Sequence, residues 1–528
     1  YLDEKEIMAK ILDAFKEDVE KVEGSDVNGM MKMWLYEFGI LRRLTWPLLI
    51  HDLNLSFAKE MQTIIQPLLK KWSGIGRTVD EGLLYRLREN LGLQITSVAD
   101  HYKASQLIKA QLLQNSADDN IGLLWKTKQA REASLTRHFR VSKLNAEAKA
   151  QTELELLFPT QSGRQGLGNG NFKAVHSKAE KRKLVSITAR SFAEDKRVEH
   201  AQELGQQGSW IQWQHRIVPY DLSWKNLIYG PGPHVLKFLL NATVNWVKTP
   251  DLMKTWGYKK TAYCVLCGAK QCTLHHIISN CEHSLNQKRY TWRHDSVLGY
   301  LKPLLQQRLD DANANPKRYA PPAQAFVKAG SKTTPTTKSH RRKSILDWAT
   351  DWKLLVDFET EKIIFPPEIY STPLRPDIII WSSITKQVFL IELTCPAEEG
   401  IEAAQIRKEA RYADLRDQIR SANKTWSVTV MTIEAGARGF VARTIPRCLN
   451  RLGLAPRHIN RACKDISSIV SRCTYTIYLA RESKGWVQQD LLTLSGDRPP
   501  ADSHDSKPAA NAAGAKSTAA ATPKVATV

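Results

Sequence analysis

Residues 375–381 read RPDIIIW, residues 388–394 read VFLIELT, and residues 402–412 read EAAQIRKEARY. Two apolar strand candidates, each with an acid at one end, lead into a helix carrying Lys408 and Arg411. In the second strand Val388, Leu390 and Glu392 alternate with Phe389, Ile391 and Leu393, which places Glu392 in a buried run. An acid there is costly unless it binds metal, accepts hydrogen bonds or meets a cation. Asp377 follows Arg375-Pro376, and the proline holds the entry to its strand extended. Two strand-borne carboxylates suit a divalent cation set against a phosphodiester, and a nearby lysine can orient the attacking water. The reading is a DNA-cutting α/β unit over 344–483, with Asp377, Glu392, Lys408 and Arg411 as catalytic residues. Asp377 and Glu392 are its Mg²⁺ ligands, and hydrolysis leaves a 3′-hydroxyl and a 5′-phosphate. Taken alone, Arg407, Lys408 and Arg411 would be an ordinary charged helix face; the strand acids decide against that.

Around this centre, WKLLVDF (352–358) is a further strand candidate whose Asp357 is a second-tier acid, and Glu402 is placed to orient Lys408. Downstream, WSVTVMTIEAGARGFV (426–441) reads as a strand and a glycine turn, with Arg438 a candidate phosphate contact. Residues 441–475 are expected to be helical and to cover one face of the sheet.

Upstream, YCVLCGAKQCTLHHIISNC (263–281) sets Cys264 and Cys267 on a tight turn, with His276 and Cys281 five residues apart beyond it. Three thiolates and one imidazole make a closed tetrahedral zinc site, structural because no coordination position is left for water. His275 substitutes if the turn is one residue shorter, and Cys272 is a weaker alternative. The competing reading is a set of buried free cysteines in a small helical hairpin. A basic helix follows, QKRYTWRHDSVLGYL (287–301), in which Arg289, Arg293 and His294 are candidate nucleic-acid contacts, as is Arg375. Asp295 either caps a turn there or approaches the acid pair.

The whole chain of 528 residues carries a formal charge of +22. That length implies several domains, and that charge an anionic partner. Its eight cysteines do not form a secreted disulfide framework, which favours a reducing compartment. No apolar run is long enough to cross a bilayer. Residues 1–155 show helical periodicity, with basic faces at Arg42, Arg43, Lys70 and Lys71, a bend or helix start at Trp46-Pro47 and a break at Pro67. Residues 156–180 read as a linker and 181–258 as a mixed, mostly helical region with a helix near 233–247. There Trp210, Trp213, Trp224 and Trp246 are expected to pack rather than stack on bases. The knuckle and basic helix fill 259–310, a flexible insertion 311–343, and a disordered tail 484–528. The chain opens on Tyr1 and reads as part of a longer product.

The strings CVLC…HHIISNC, RYTWRHDSVL, RPDIIIW, IELTCPAEE and RKEARYADL, in that order, resemble the C-terminal half of a non-LTR retrotransposon protein with a restriction-like endonuclease. The resemblance runs from the helical beginning to about residue 483. It implies a multidomain chain: an N-terminal helical region like a polymerase thumb, a small CCHC zinc knuckle, and a restriction-like α/β fold with a mixed central sheet. It implies Zn²⁺ on Cys264, Cys267, His276 and Cys281, Mg²⁺ on Asp377 and Glu392, and Lys408 as a displaced catalytic lysine, since Thr394 stands where the commonest pattern has lysine. Arg411 meets a position that is lysine or arginine in the family. The implied activity is nicking of double-stranded target DNA, so that the exposed 3′-hydroxyl primes reverse transcription of element RNA by a polymerase lying upstream. A nuclear location follows as a functional expectation, with KSHRRK (338–343) as a weak import signal. The alternative is a catalytically inactive, nucleic-acid-binding remnant of such a protein.

Overall fold

A computed structural model describes residues 4–134 (apart from Asp52, Asn115 and Ala117), 178–315, and 344–486 (apart from Trp348). Of the flexible insertion expected over 311–343, residues 316–343 lie outside the described residues, as do most of the linker and nearly all of the tail, whereas 311–314 continue the helix Arg289–Ala314.

The N-terminal region is mostly helical: Glu4–Glu23, a continuous run from Gly29 to Ile50, Leu55–Ser73 and Val98–Gln114. Asn28 and Asn54 cap two of these by accepting from the amides of Met31 and Phe57 at 2.8 Å each. Pro67 does not break its helix, contrary to expectation. Met61, Ile65 and Leu69 on the same helix are fully buried, and that burial outweighs the single backbone hydrogen bond a proline removes. Pro47 likewise stays inside Leu41–Ile50.

The long helix Lys178–Glu203 and the shorter Pro233–Thr243 join the same core. Leu236, Leu239 and Leu240 point into it, while Phe238 and Ala242, on the other side of that helix, pack against the cysteine-rich segment. Trp210 and Trp213 are buried, and Trp224 and Trp246 are partly buried against the same core, so these indoles pack as expected.

The C-terminal region is a four-stranded mixed sheet flanked by helices. Strands β1 (Lys353–Val356), β2 (Ile378–Ser382) and β3 (Gln387–Thr394) form an antiparallel meander. The helix Ile401–Ala422 then crosses over to β4 (Ser427–Glu434), which runs parallel to β3. One face, bearing Ile378, Ile380, Phe389, Ile391, Met431 and Ile433, packs on the helices Arg289–Ala314, Thr444–Arg451 and Pro456–Leu479. The opposite face, bearing Ile379, Val388, Leu390 and Val428, packs on Tyr412, Leu415 and Ile419 of the crossover helix. Among the described residues no helix is long and apolar enough to cross a membrane.

Candidate active site and metal centre

The crossover face changes character along the strands. Under the second half of Ile401–Ala422 it is aliphatic; under the first half it carries Asp377, Glu392, Thr394, Thr432 and Glu434. The antiparallel register pairs Ile378 with Ile391, so the next step pairs Asp377 with Glu392 on this same face. The Asp377 amide donates to Glu392 Oε2 at 3.2 Å, and the Leu393 amide donates to Asp377 Oδ2 at 2.7 Å. Lys408, one turn before the buried Tyr412, reaches down from the helix and donates to Glu392 Oε1. The two acids and the lysine, 31 positions apart at most in sequence, thus meet.

Glu392 is 3% exposed. Burial and the neighbouring Asp377 charge raise its pKa, and the Lys408 ammonium works against that rise. Tyr412, buried beside the aliphatic half of this face, donates to the Arg375 carbonyl at 3.2 Å.

A residue from outside the sheet completes the arrangement. His294 Nε2 lies 3.3 Å from Asp377 Oδ2 and 3.2 Å from the Leu393 carbonyl, while Nδ1 lies 3.0 Å from Asp295 Oδ1. Burial disfavours the imidazolium, but Asp295 and Asp377 outweigh it and hold the pKa well above the usual histidine value. His294 is therefore a partner of the acid pair, not the backbone-phosphate contact expected from the basic helix. Asp295 approaches the site and also accepts from the Glu359 amide at 3.1 Å. The sequence held a usable signal here: a histidine directly beside an acid, His294-Asp295.

Three expected phosphate contacts turn out to be structural arginines. Arg293 is 1% exposed and donates to the Ile278 carbonyl at 2.9 Å, Thr474 Oγ1 at 3.0 Å and the Cys395 carbonyl at 3.0 Å. Arg289 is fully buried and donates to the carbonyls of Ala480 and Ser483 at 2.7 Å, closing the end of the Pro456–Leu479 helix. Arg438, buried as well, pairs with Glu398 at 2.7 Å and Glu399 at 2.8 Å and donates to Ala242 and Asn245. Guanidinium groups so enclosed present no exposed donor to a phosphate; Arg293 Nε has no partner but is itself buried. Arg375 is exposed and lies 3.7 Å from Asp357 Oδ1. Asp357 itself accepts from the Ile363 amide at 2.8 Å, which makes it a loop-ordering acid. Arg411 is exposed and forms no hydrogen bond or ion pair among the described residues; its guanidinium lies 5.7 Å from the Tyr412 ring centre. Glu402 pairs with Arg216 at 2.5 Å rather than orienting Lys408.

The cysteine-rich segment brings Cys264, Cys267, His276 and Cys281 together with their ligand atoms all within 4.8 Å of one another. Cys264 Sγ lies 3.9 Å from Cys281 Sγ, and Cys267 Sγ lies 3.3 Å from His276 Nε2. The turn closes through the Gly268 amide on the Cys264 carbonyl at 2.9 Å, and Gly268 takes φ +75°, a left-handed conformation suited to glycine. Burial opposes the Cys264 thiolate, yet the amides of Cys267 and Leu266 point at the sulfur and bring its pKa below the usual value. Three sulfurs and one nitrogen match zinc's tetrahedral preference, so this cluster is able to hold a structural metal. His275 points away toward Asn280, and Cys272 is buried outside the set. Among the described residues this is the one such group of three or more ligands; no third histidine, cysteine or acid joins Asp377 and Glu392 at that spacing.

The two centres are mechanically joined. Tyr290 Oη accepts from the Cys281 amide at 3.0 Å and donates to the Ile277 carbonyl at 2.9 Å. Three residues on, Arg293 links Ile278 of the knuckle to Cys395, just past β3, and His294 then meets Asp377. Compared with protein-family models and with curated proteins, the chain matches none.

Proposed function

We propose that this chain is a divalent-metal-dependent endodeoxyribonuclease with a restriction-like core, and that it is the C-terminal part of a non-LTR retrotransposon protein. One observation carries the nuclease reading: Asp377 and Glu392 face each other across adjacent strands, with Lys408 on Glu392. The meander followed by a helical crossover to a parallel strand supports a restriction-like fold. The retroelement assignment rests on the ordered strings from CVLC to RKEARYADL.

Asp377 and Glu392 supply the hard oxygen ligands that Mg²⁺ takes. When bound, that cation polarises the scissile phosphate and lowers the pKa of an attacking water. Lys408 keeps Glu392 oriented and presents positive charge where phosphoryl charge grows. His294 fixes the orientation of Asp377 from the opposite side. The zinc knuckle holds the helix that carries His294. Double-stranded DNA is the substrate, element RNA is engaged through the longer protein, and action is in the nucleus.

Nicking of supercoiled plasmid by the zinc-loaded protein tests this reading. Activity is expected with Mg²⁺ and is expected to vanish in Glu392→Ala, while Lys408→Met loses at least about 100-fold, within the range of a lost acid–base group. Metal-dependent nicking that survives Glu392→Ala sinks it. A second reading, an inactive nucleic-acid-binding remnant, is favoured by the Lys408 ammonium resting on the oxygen a cation would use. That reading requires salt-sensitive DNA binding without cleavage in either protein.

A further inference from the structure

Beyond the acid pair, the polar half of the crossover face holds a second carboxylate to which no role has yet been given. Glu434 ends β4, opposite Thr394 of β3, one same-face step along from the Glu392–Thr432 pair. It is 0% exposed. Thr444 Oγ1 donates to its Oε2 at 2.6 Å, but its Oε1 has no hydrogen-bond partner. The Thr394 hydroxyl oxygen is also buried without a partner. Two orphaned oxygens on facing residues are expensive in a protein interior. Burial pushes the Glu434 pKa up while the hydroxyls of Thr444 and Thr432 favour the carboxylate, so protonation with the Thr394 oxygen as acceptor is the competing way to meet the cost. A bound cation also meets it, since carboxylate and hydroxyl oxygens are ligands for hard divalent ions. The neighbours fit: Thr432 donates to Glu409 Oε1 at 3.5 Å, so a further acid from the crossover helix borders the same space.

We propose that Glu434 and Thr394 form a second oxygen-donor site for a divalent cation, beside the Asp377–Glu392 pair and under the first half of Ile401–Ala422. Its catalytic meaning rests on the nuclease reading; its existence does not. The probe is Mn²⁺ titrated into the zinc-loaded full chain, with free ion followed by its paramagnetic resonance signal. Two ions are expected on the wild type. Glu434→Gln, which keeps shape and removes charge, is expected to lose one of them, and Glu392→Gln the other. Thr394→Val is expected to weaken the Glu434 ion about tenfold, one lost ligand of the ~1.4 kcal/mol that such a ratio represents. Melting curves check that each variant is folded. An unchanged isotherm in both Glu434→Gln and Thr394→Val overturns the inference and leaves Glu434 a buried acid held by Thr444. Plasmid nicking, run in parallel, separates the outcomes. Wild-type nicking with one ion refutes this site but keeps the nuclease; two ions, one lost in Glu434→Gln, without nicking keep the site but refute the nuclease.

Discussion

The cysteine cluster and the acid pair are both groups of polar atoms enclosed by protein, yet they are assembled in opposite ways. The four candidate metal-ligand side chains lie within 18 consecutive residues, between Cys264 and Cys281, and a tight turn and one helical turn suffice to gather them. The acid pair depends on the register of two strands, the docking of a crossover helix, and a histidine from 83 residues upstream of Asp377. A local site is specified by spacing and by the metal's own geometry. A distributed site inherits its geometry from the sheet and its packing. The Arg289–Ala314 helix joins the two, since Tyr290 serves the first and His294 the second.

If the knuckle is held by metal, removing a ligand should have the largest effect of any single change. Cys281→Ser is expected to destabilise by at least about 4 kcal/mol, a part of the binding free energy seen for structural zinc in small domains. Differential melting with and without chelator checks this, and an unchanged melt would detach the cluster from folding. Arg293→Met comes next, at about 3 kcal/mol, because three buried acceptors lose one donor group. If the two centres are coupled through it, this variant also weakens Asp377-dependent nicking while bound zinc stays constant.

His294→Asn sharpens the contrast through pH. A histidine raised in the folded state stabilises fully below the unfolded value of 6.5, and that contribution is lost as pH climbs through the raised folded value. Denaturant melts of the native protein should therefore lose stability from about pH 6.5 upward, and the variant should be flatter over the same window. A slope that persists unchanged in the variant assigns the titration elsewhere. Smallest is Arg411→Ala, expected within about 0.5 kcal/mol of the parent and with nicking nearly intact, as for an exposed side chain outside special features. A large loss of nicking there would restore Arg411 to the site.

Much of this was legible in one dimension. The alternation of VFLIELT announced a strand with Glu392 facing the same way as Val388 and Leu390, and the structure has it so. Cys-x2-Cys followed by His276 and Cys281 named the four residues that cluster, and the alternatives His275 and Cys272 fall outside it. The arginines were misread because charge reports nothing about enclosure: Arg289, Arg293 and Arg438 look like surface cations until their carbonyl and carboxylate partners, from segments about 40 to 200 residues away, are placed around them. Arg411 stays exposed for a simple reason. Three positions from Lys408 is near enough on a helix to share a broad face, but only the neighbour at four, Tyr412, turns fully inward.

Residue spacing alone determined the elements that are local: the helices, the strands with their inward acids, and the cysteine–histidine cluster, because hydrophobic period and ligand spacing act over a few residues. Tertiary structure alone decided which charges gather at the candidate site and which are internal braces. That choice turns on dielectric surroundings and on partners brought in from distant segments, and neither is encoded within reach of the residue itself.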